Sequence, residues 1–332
     1  MKANSADPPF TTAPVNARPA GDGVQRCAAW AREHHVDPIG TAGCHAGYLL
    51  LEWPLPWPQD LSEVPELAPL IAALGGTGIR LQGLVPTRDH GEGHHAILYD
   101  RVPSEGGFSR LARREVVAPL DGLVASALAL LDGSSGRVDD APGQDILICG
   151  HGRRDRCCGS LGTALAGEVA QKLGDRDDVR TWRTSHMGGH RFAPTITILP
   201  ESTVWAHADT GLVAQVLERS GPLEDLLGRY RGCSGLATPR IQALERAVLE
   251  EVGWSLLSMH RKGQELDDGV VRLEARNGST SSRWEAVVRE GRVLPVPVCG
   301  APLGDATKSE VEWIVERLTD HDVGYDPGRA RQ

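Results

Sequence analysis

Residues 145–190 read DILICGHGRRDRCCGSLGTALAGEVAQKLGDRDDVRTWRTSHMGGH. The opening DILIC (145–149) is a short apolar run suited to a buried strand. Leu161, Leu165, Val169 and Leu173 then recur every four residues, which predicts a helix over 160–173 with Gly174 as its stop. Residues 179–183 supply a second strand. The stretch is therefore a β-α-β unit, expected to be parallel and right-handed. Two residue pairs punctuate it: Cys149 and Cys158 as Cys-x8-Cys, and His186 and His190 as His-x3-His. Together they offer four soft-to-borderline donors from two loops, the composition of a closed four-coordinate metal site.

The local context favours ligation. Cys149 ends a strand and Cys158 begins a helix, where the helix dipole favours a thiolate. Arg153, Arg154 and Arg156 lie between them and act in the same direction, while Asp155 is expected to pair with one of them and brace the loop. The spacing of His186 and His190 would suit one helix face. Gly188, Gly189 and the following Pro194 argue instead for a tight loop in which glycine permits positive φ. His151 is near enough to support the ligands, although a solvated loop histidine explains it as well. Cys27, Cys44, Cys233 and Cys299 lack ligand spacing and read as buried or incidental thiols. His90, His94 and His95 read as an exposed hairpin turn. Trp53, Trp57, Trp254, Trp284 and Trp313 read as packing residues.

Working outward, residues 1–22 lack the apolar core of a signal peptide and read as a disordered tail, so a cytoplasmic protein is expected. Seven cysteines in a reducing compartment favour metal ligation over a disulfide framework. A net charge of −9 disfavours a nucleic-acid partner, and no segment approaches the apolar length of a membrane span. Three regions follow the tail. Residues 23–143 form an N-terminal α/β domain with strands at 47–53, 79–85 and 96–102, and helices at 61–74 and 116–131. A Gly/Ser/Asp/Pro linker spans 131–144. Residues 145–252 add to the β-α-β unit a hairpin (195–199 and 203–207) and helices at 211–219, 223–230 and 239–252. Residues 253–332 form a small α+β appendage with strands at 270–274, 284–289 and 293–298, and an amphipathic helix at 308–318. The β-α-β-β-β-α order of 145–252 is that of a thioredoxin-like domain. The first region has a similar order, which suggests a degenerate thioredoxin-like repeat. No GxGxxG or phosphate-binding Gly-Lys-Ser/Thr loop indicates a nucleotide or flavin.

Four segments carry a resemblance. ILICGHGRRDRCCG (146–159), HMGGHRFAPT (186–195), DPIGTAG (37–43) and LLLEWPLPWP (49–58) resemble the sucrase/ferredoxin-like family, over about residues 25–235. The resemblance implies a thioredoxin-like ferredoxin domain with one [2Fe–2S] cluster on Cys149, Cys158, His186 and His190. It also implies one-electron transfer between redox protein partners. The family usually has Arg before the second cysteine, where this chain has Cys157; that leaves Cys157 and Cys158 in competition, with Cys158 fitting the spacing. Two thiolates and two neutral imidazoles would make the oxidised site neutral, so its potential should exceed that of all-cysteine sites. Arg154, Arg183 and Arg191 would raise it further if they point inward, and a protonatable imidazole ligand should make it pH-dependent. The acidic balance suits docking on a basic reductase face. No paired carboxylates support glycoside hydrolysis. Two alternatives stand beside this reading: a structural zinc module on the same two cysteines and two histidines, and a thiol-dependent oxidoreductase using the vicinal Cys157–Cys158 pair.

Overall fold

The computed structural model describes residues 26–86, 93–101, 107–136, 138–139, 143–174 and 176–323. The tail at 1–22 and His90 lie outside the described residues. In chain order the first elements are α1 (Cys27–Glu33), β1 (Gly47–Glu52), α2 (Ala68–Leu74), β2 (Ile79–Leu84), β3 (His94–Arg101), β4 (Leu111–Ala118) and α3 (Leu120–Leu131). Next come β5 (Gln144–Cys149), α4 (Thr163–Leu173), β6 (Val179–Thr184), β7 (Ile196–Leu199), β8 (Thr203–Trp205), α5 (Thr210–Glu218), α6 (Glu224–Leu227) and β9 (Tyr230–Cys233). Then α7 (Pro239–Val252), β10 (His260–Glu265), β11 (Val270–Asn277), β12 (Thr280–Pro295) and β13 (Ser309–Val323) complete the set.

Strands β1 to β9 form one mixed sheet in the order β4-β3-β1-β2-β6-β5-β7-β8-β9. Its two halves repeat one pairing pattern. In the first, β1 runs parallel to β2 and antiparallel to β3, which pairs antiparallel with β4. In the second, β5 runs parallel to β6 and antiparallel to β7, which pairs antiparallel with β8. The central strands are continuous apolar runs because both their faces are covered. Leu49, Leu50 and Leu51 of β1 and Ile146, Leu147 and Ile148 of β5 are all buried, each contributing about 2–3 kcal/mol of transfer free energy. The halves meet where β2 and β6 pair antiparallel, with Leu84 opposite Thr184. Val85 N–H donates to the Arg183 carbonyl (2.9 Å) and Ser185 N–H to the Gly83 carbonyl (2.8 Å).

Strands β10 to β13 make a separate antiparallel sheet. Helix α7 contacts both sheets, with the Thr238 side chain accepting from Ile241 N–H at its start. Two expected helices are corrected here. All of the segment 308–318 but Lys308 lies within strand β13, which pairs with β12 with register irregularities. Its Val311, Trp313 and Val315 alternate with Glu310, Glu312 and Ile314, a period-two pattern that also offers apolar residues at helix-like spacing. The expected helix at 116–131 is strand β4 followed by α3, because Pro119 interrupts the run and precedes the first helical residue. The expected strands at 284–289 and 293–298 are largely one strand, β12, with register irregularities at 285/287 and 290/293.

Candidate metal centre

Both Cys149 and the His186 segment leave the sheet side by side, because β5 and β6 are parallel neighbours in register, with Cys149 opposite Thr184. The chain turns at 150–155 and becomes helical at Arg156. Asp155 Oδ1 accepts from the N–H groups of Cys157 (2.8 Å) and Cys158 (3.2 Å), an N-cap at the helix start. The first turn widens into a π-turn over Cys158–Gly162 before α4 proper. Gly162 lies against β5 so closely that a Cβ there would overlap the Cys149 carbonyl. These constraints bring Cys158 to Cys149.

Cys149 and Cys158 pack in one buried cluster, and their thiols influence each other's ionisation. Contact with Cys158 holds Cys149 well below the usual thiol range. The His186 ring and the N–H groups of Met187 and His151 act in the same sense, against the effect of burial. Cys158 is pushed up in turn, by Cys149 and by burial. The pair therefore favours a single negative charge.

His186 and His190 sit on a loop whose Gly188 and Gly189 take φ of +85° and +68°, the left-handed backbone that glycine tolerates best. Their ring centroids are 6.5 Å apart. His186 Nδ1 is buried and has no hydrogen-bond partner of ordinary geometry among the described residues. His190 Nδ1 lies 3.1 Å from Asp155 Oδ2, which leaves Nε2 as the nitrogen turned to other uses. The loop is held from below. Arg80 donates to the His186 carbonyl (2.6 Å), His186 N–H donates to His151 Nδ1 (3.2 Å), and Gln82 donates to the Ser185 carbonyl (2.6 Å).

Sequence reasoning missed Arg231, the first-half brace and a second sulfur group. Arg231 is buried under the histidine loop, donating to Thr41 Oγ1 (3.0 Å) and to the Gly188 carbonyl (3.2 Å). Burial draws Arg231 down to about 10, while the charges of Glu310, Cys158 and Cys149 act upward. Of the expected inward arginines, Arg154 reaches the Gln59 carbonyl at 3.5 Å, and Arg191 pairs with Glu310 at 2.7 Å. Asp155 pairs with His190 rather than with a neighbouring arginine, because its carboxylate faces the helix start.

Cys157 points away from Cys158. Its sulfur lies 3.1 Å from that of Cys299, which is 3.1 Å from that of Cys27. Among the described residues, Cys27, Asp155, Cys157 and Cys299 form a group able to hold a metal ion, with donor atoms all within 4.8 Å of one another. Cys27 is buried, in line with its reading as a buried or incidental thiol, but it and Cys299 meet Cys157, which that reading did not anticipate. They are distant in sequence, so spacing carried no sign of their convergence. Cys44 is exposed, and Cys233 is buried away from both groups. His95 is also corrected: it is a buried β3 residue bonded to Glu115, not part of an exposed turn.

Beside the Cys149–Cys158 pair opens a cavity of about 610 Å³ whose wall includes Trp57, His151, Arg26, Arg153, Arg156 and Arg183. No carboxylate is among the described residues that line it. No helix among the described residues is long and apolar enough to cross a membrane.

Comparison with known proteins gives short and longer matches. Over 65 residues the chain is 38% identical to "Altered inheritance of mitochondria protein 32" of Meyerozyma guilliermondii, covering 18% of this chain and 23% of that protein. The protein of the same name from Debaryomyces hansenii is 36% identical over 65 residues, covering 18% and 24%. The chain thus spans less than a quarter of the length of these curated relatives. No solved structure matches it significantly. The sequence profile described as "Sucrase/ferredoxin-like" matches residues 38–232, a span that includes β1 to β8, both cysteines of the contacting pair and both loop histidines. The chain belongs to the sucrase/ferredoxin-like family.

Proposed function

We propose that this protein holds one [2Fe–2S] cluster on Cys149, Cys158, His186 and His190 and passes single electrons between protein partners. We assign the β5-α4-β6-β7-β8-α5 unit as its thioredoxin-like ferredoxin domain, with β1-α2-β2-β3-β4-α3 as a degenerate copy. The observation that supports the reading is the packing of Cys149 with Cys158 beside His186, whose buried Nδ1 has no hydrogen-bond partner of ordinary geometry among the described residues. Bound there, the cluster would take up and give out one electron at a time.

The chain's own residues suit that role. The N–H groups of Met187 and His151 and the His186 ring face Cys149 and favour a thiolate in the pair, the form that ligates iron. Asp155 at His190 Nδ1 fixes the orientation of that ring, as second partners of ligating histidines do. The buried Arg231 guanidinium places a positive charge near both thiols, favouring the reduced state. Zinc suits the donor types equally well, but a single tetrahedral ion needs all four donors about 3.3–3.8 Å apart. Among the described residues these four do not form a set within 4.8 Å of one another, whereas a two-iron core spreads its ligands farther.

The arginine-walled cavity bears on the partner. Although the chain carries a net charge of −9, the face beside the site is basic. The fitting partner therefore presents carboxylates there, and long-range attraction would speed the encounter at low salt.

The test is iron and acid-labile sulfide analysis of anaerobically purified protein, with visible absorption and electron paramagnetic resonance. Two irons and two sulfides per chain are expected, lost or spectrally shifted in Cys149→Ser, His186→Ala and His190→Ala. Colourless protein containing zinc at this site, or unchanged spectra in both histidine variants, would overturn the proposal.

A further inference from the structure

We propose that Cys27, Cys157, Cys299 and Asp155 form a second metal site, for a single thiophilic divalent cation of the Zn2+ class. None of its donors belongs to the Cys149, Cys158, His186 and His190 set, although the two groups adjoin: His190 Nδ1 lies 3.4 Å from Cys27 Sγ and 3.1 Å from Asp155 Oδ2. Two of its three cysteines, Cys27 and Cys299, lie outside the stretch shared with the family, residues 38–232.

Geometry brings four donors together. The Cys299 sulfur touches those of Cys27 and Cys157 at 3.1 Å each. Asp155 approaches with Oδ2 3.6 Å from Cys27 Sγ and Oδ1 3.7 Å from Cys299 Sγ. A tetrahedral zinc ion with Zn–S near 2.3 Å and Zn–O near 2.0 Å separates its donors by about 3.5–3.8 Å. The sulfurs need only part by about half an ångström to admit it. Cys27, Cys157 and Asp155 are buried, and Cys299 is half-buried. The three elements that bring them are far apart in the chain: α1, the helix start after residue 155, and the loop between β12 and β13.

Donor chemistry selects the ion. Three sulfurs exclude Mg2+ and Ca2+, which require oxygen cages. Three thiolates and one carboxylate around a divalent ion leave a net charge of −2, equal to that of an all-cysteine structural zinc site. Cys157 and Cys158 N–H groups hold the Asp155 carboxylate in place. A disulfide would join two of the sulfurs and leave the third thiol and the carboxylate unused, whereas a cation engages all four. Its structural effect would be to pin α1 and the β12–β13 loop against the helix start that carries Cys158.

The test uses the full chain from zinc-supplemented culture, analysed for zinc, iron and sulfide, with Cys299→Ser and Cys149→Ser as variants. Metal-free, reduced protein is also titrated with Zn2+ against a chromophoric chelator. One equivalent of zinc is expected in the wild type, absent from Cys299→Ser, which keeps its iron and sulfide. Cys149→Ser should lose iron and keep zinc. Removal of zinc by chelation should lower the melting temperature of the wild type and leave that of Cys299→Ser unchanged, which separates metal loss from misfolding. Failure of the wild type to bind zinc, retention of zinc in Cys299→Ser, or loss of zinc only in Cys149→Ser would overturn the second site. The last result would place zinc in the first site and so count against the cluster instead.

Discussion

The Asp155 carboxylate meets the His190 ring at 3.1 Å, Oδ2 to Nδ1, on the boundary between the two sulfur groups. Asp155→Asn keeps a side chain able to cap the helix start but removes a negative charge beside a proposed ligand. The midpoint potential is expected to rise by tens of millivolts, since an added electron is then less opposed. Spectroelectrochemical titration in a Cys299→Ser background isolates the effect. A potential equal to that of Cys299→Ser would remove Asp155 from any tuning role.

Arg231→Gln should move the potential the other way. The guanidinium is buried near both thiols, so its loss withdraws a charge that stabilises the reduced state. It also leaves the Gly188 carbonyl without its Arg231 donor, and stability should fall by about 2–4 kcal/mol. Denaturant unfolding and the midpoint potential check the two effects separately. Lowered stability with an unchanged potential would make Arg231 purely structural.

Gly162→Ala places a methyl group on the Cys149 carbonyl. Backbone on both sides must shift, so a stability loss of at least about 2 kcal/mol is expected. Iron content should fall as well, because Cys158 and Cys149 are held together by that approach. Gly167→Ala, on the same helix where nothing lies within 4 Å of an added Cβ, is the control expected to be harmless.

Glu115 gives a pH prediction away from the metal groups. Burial disfavours its charge, but His95 and the Arg180 guanidinium, at 2.9 and 3.0 Å, hold its carboxyl down to about 2 from 4.5. A carboxyl depressed on folding stabilises the native state above its unfolded pKa and loses that contribution as pH falls through the folded value. Stability should therefore decline between about pH 4.5 and pH 2, by at most about 3 kcal/mol from this group. Denaturation midpoints of wild type and Glu115→Gln should converge over that window. Parallel pH profiles would refute the assignment.

Strong local periodicity made the second half of the large sheet readable from the sequence. DILIC, the four-residue leucine and valine spacing and the paired glycines each match what the structure shows at β5, α4 and the histidine loop. Elements whose identity depends on tertiary pairing were harder. The β13 segment offers apolar residues at both strand and helix spacing, and only its pairing with β12 decides between them. At the candidate site, Cys149, Cys158, His186 and His190 were visible because each pair is local. Cys27, Cys299 and Arg231 reach the site through tertiary folding, which leaves no mark on spacing.

That long-range closure has a consequence for biogenesis. Cys27 and Cys299 are separated by 272 residues, so a ribosome-bound chain can hold the first of these thiols long before the last exists. Completion of the second sulfur group must therefore await emergence of Cys299 from the ribosome, and any ion held there would report that the segment between β12 and β13 had been made.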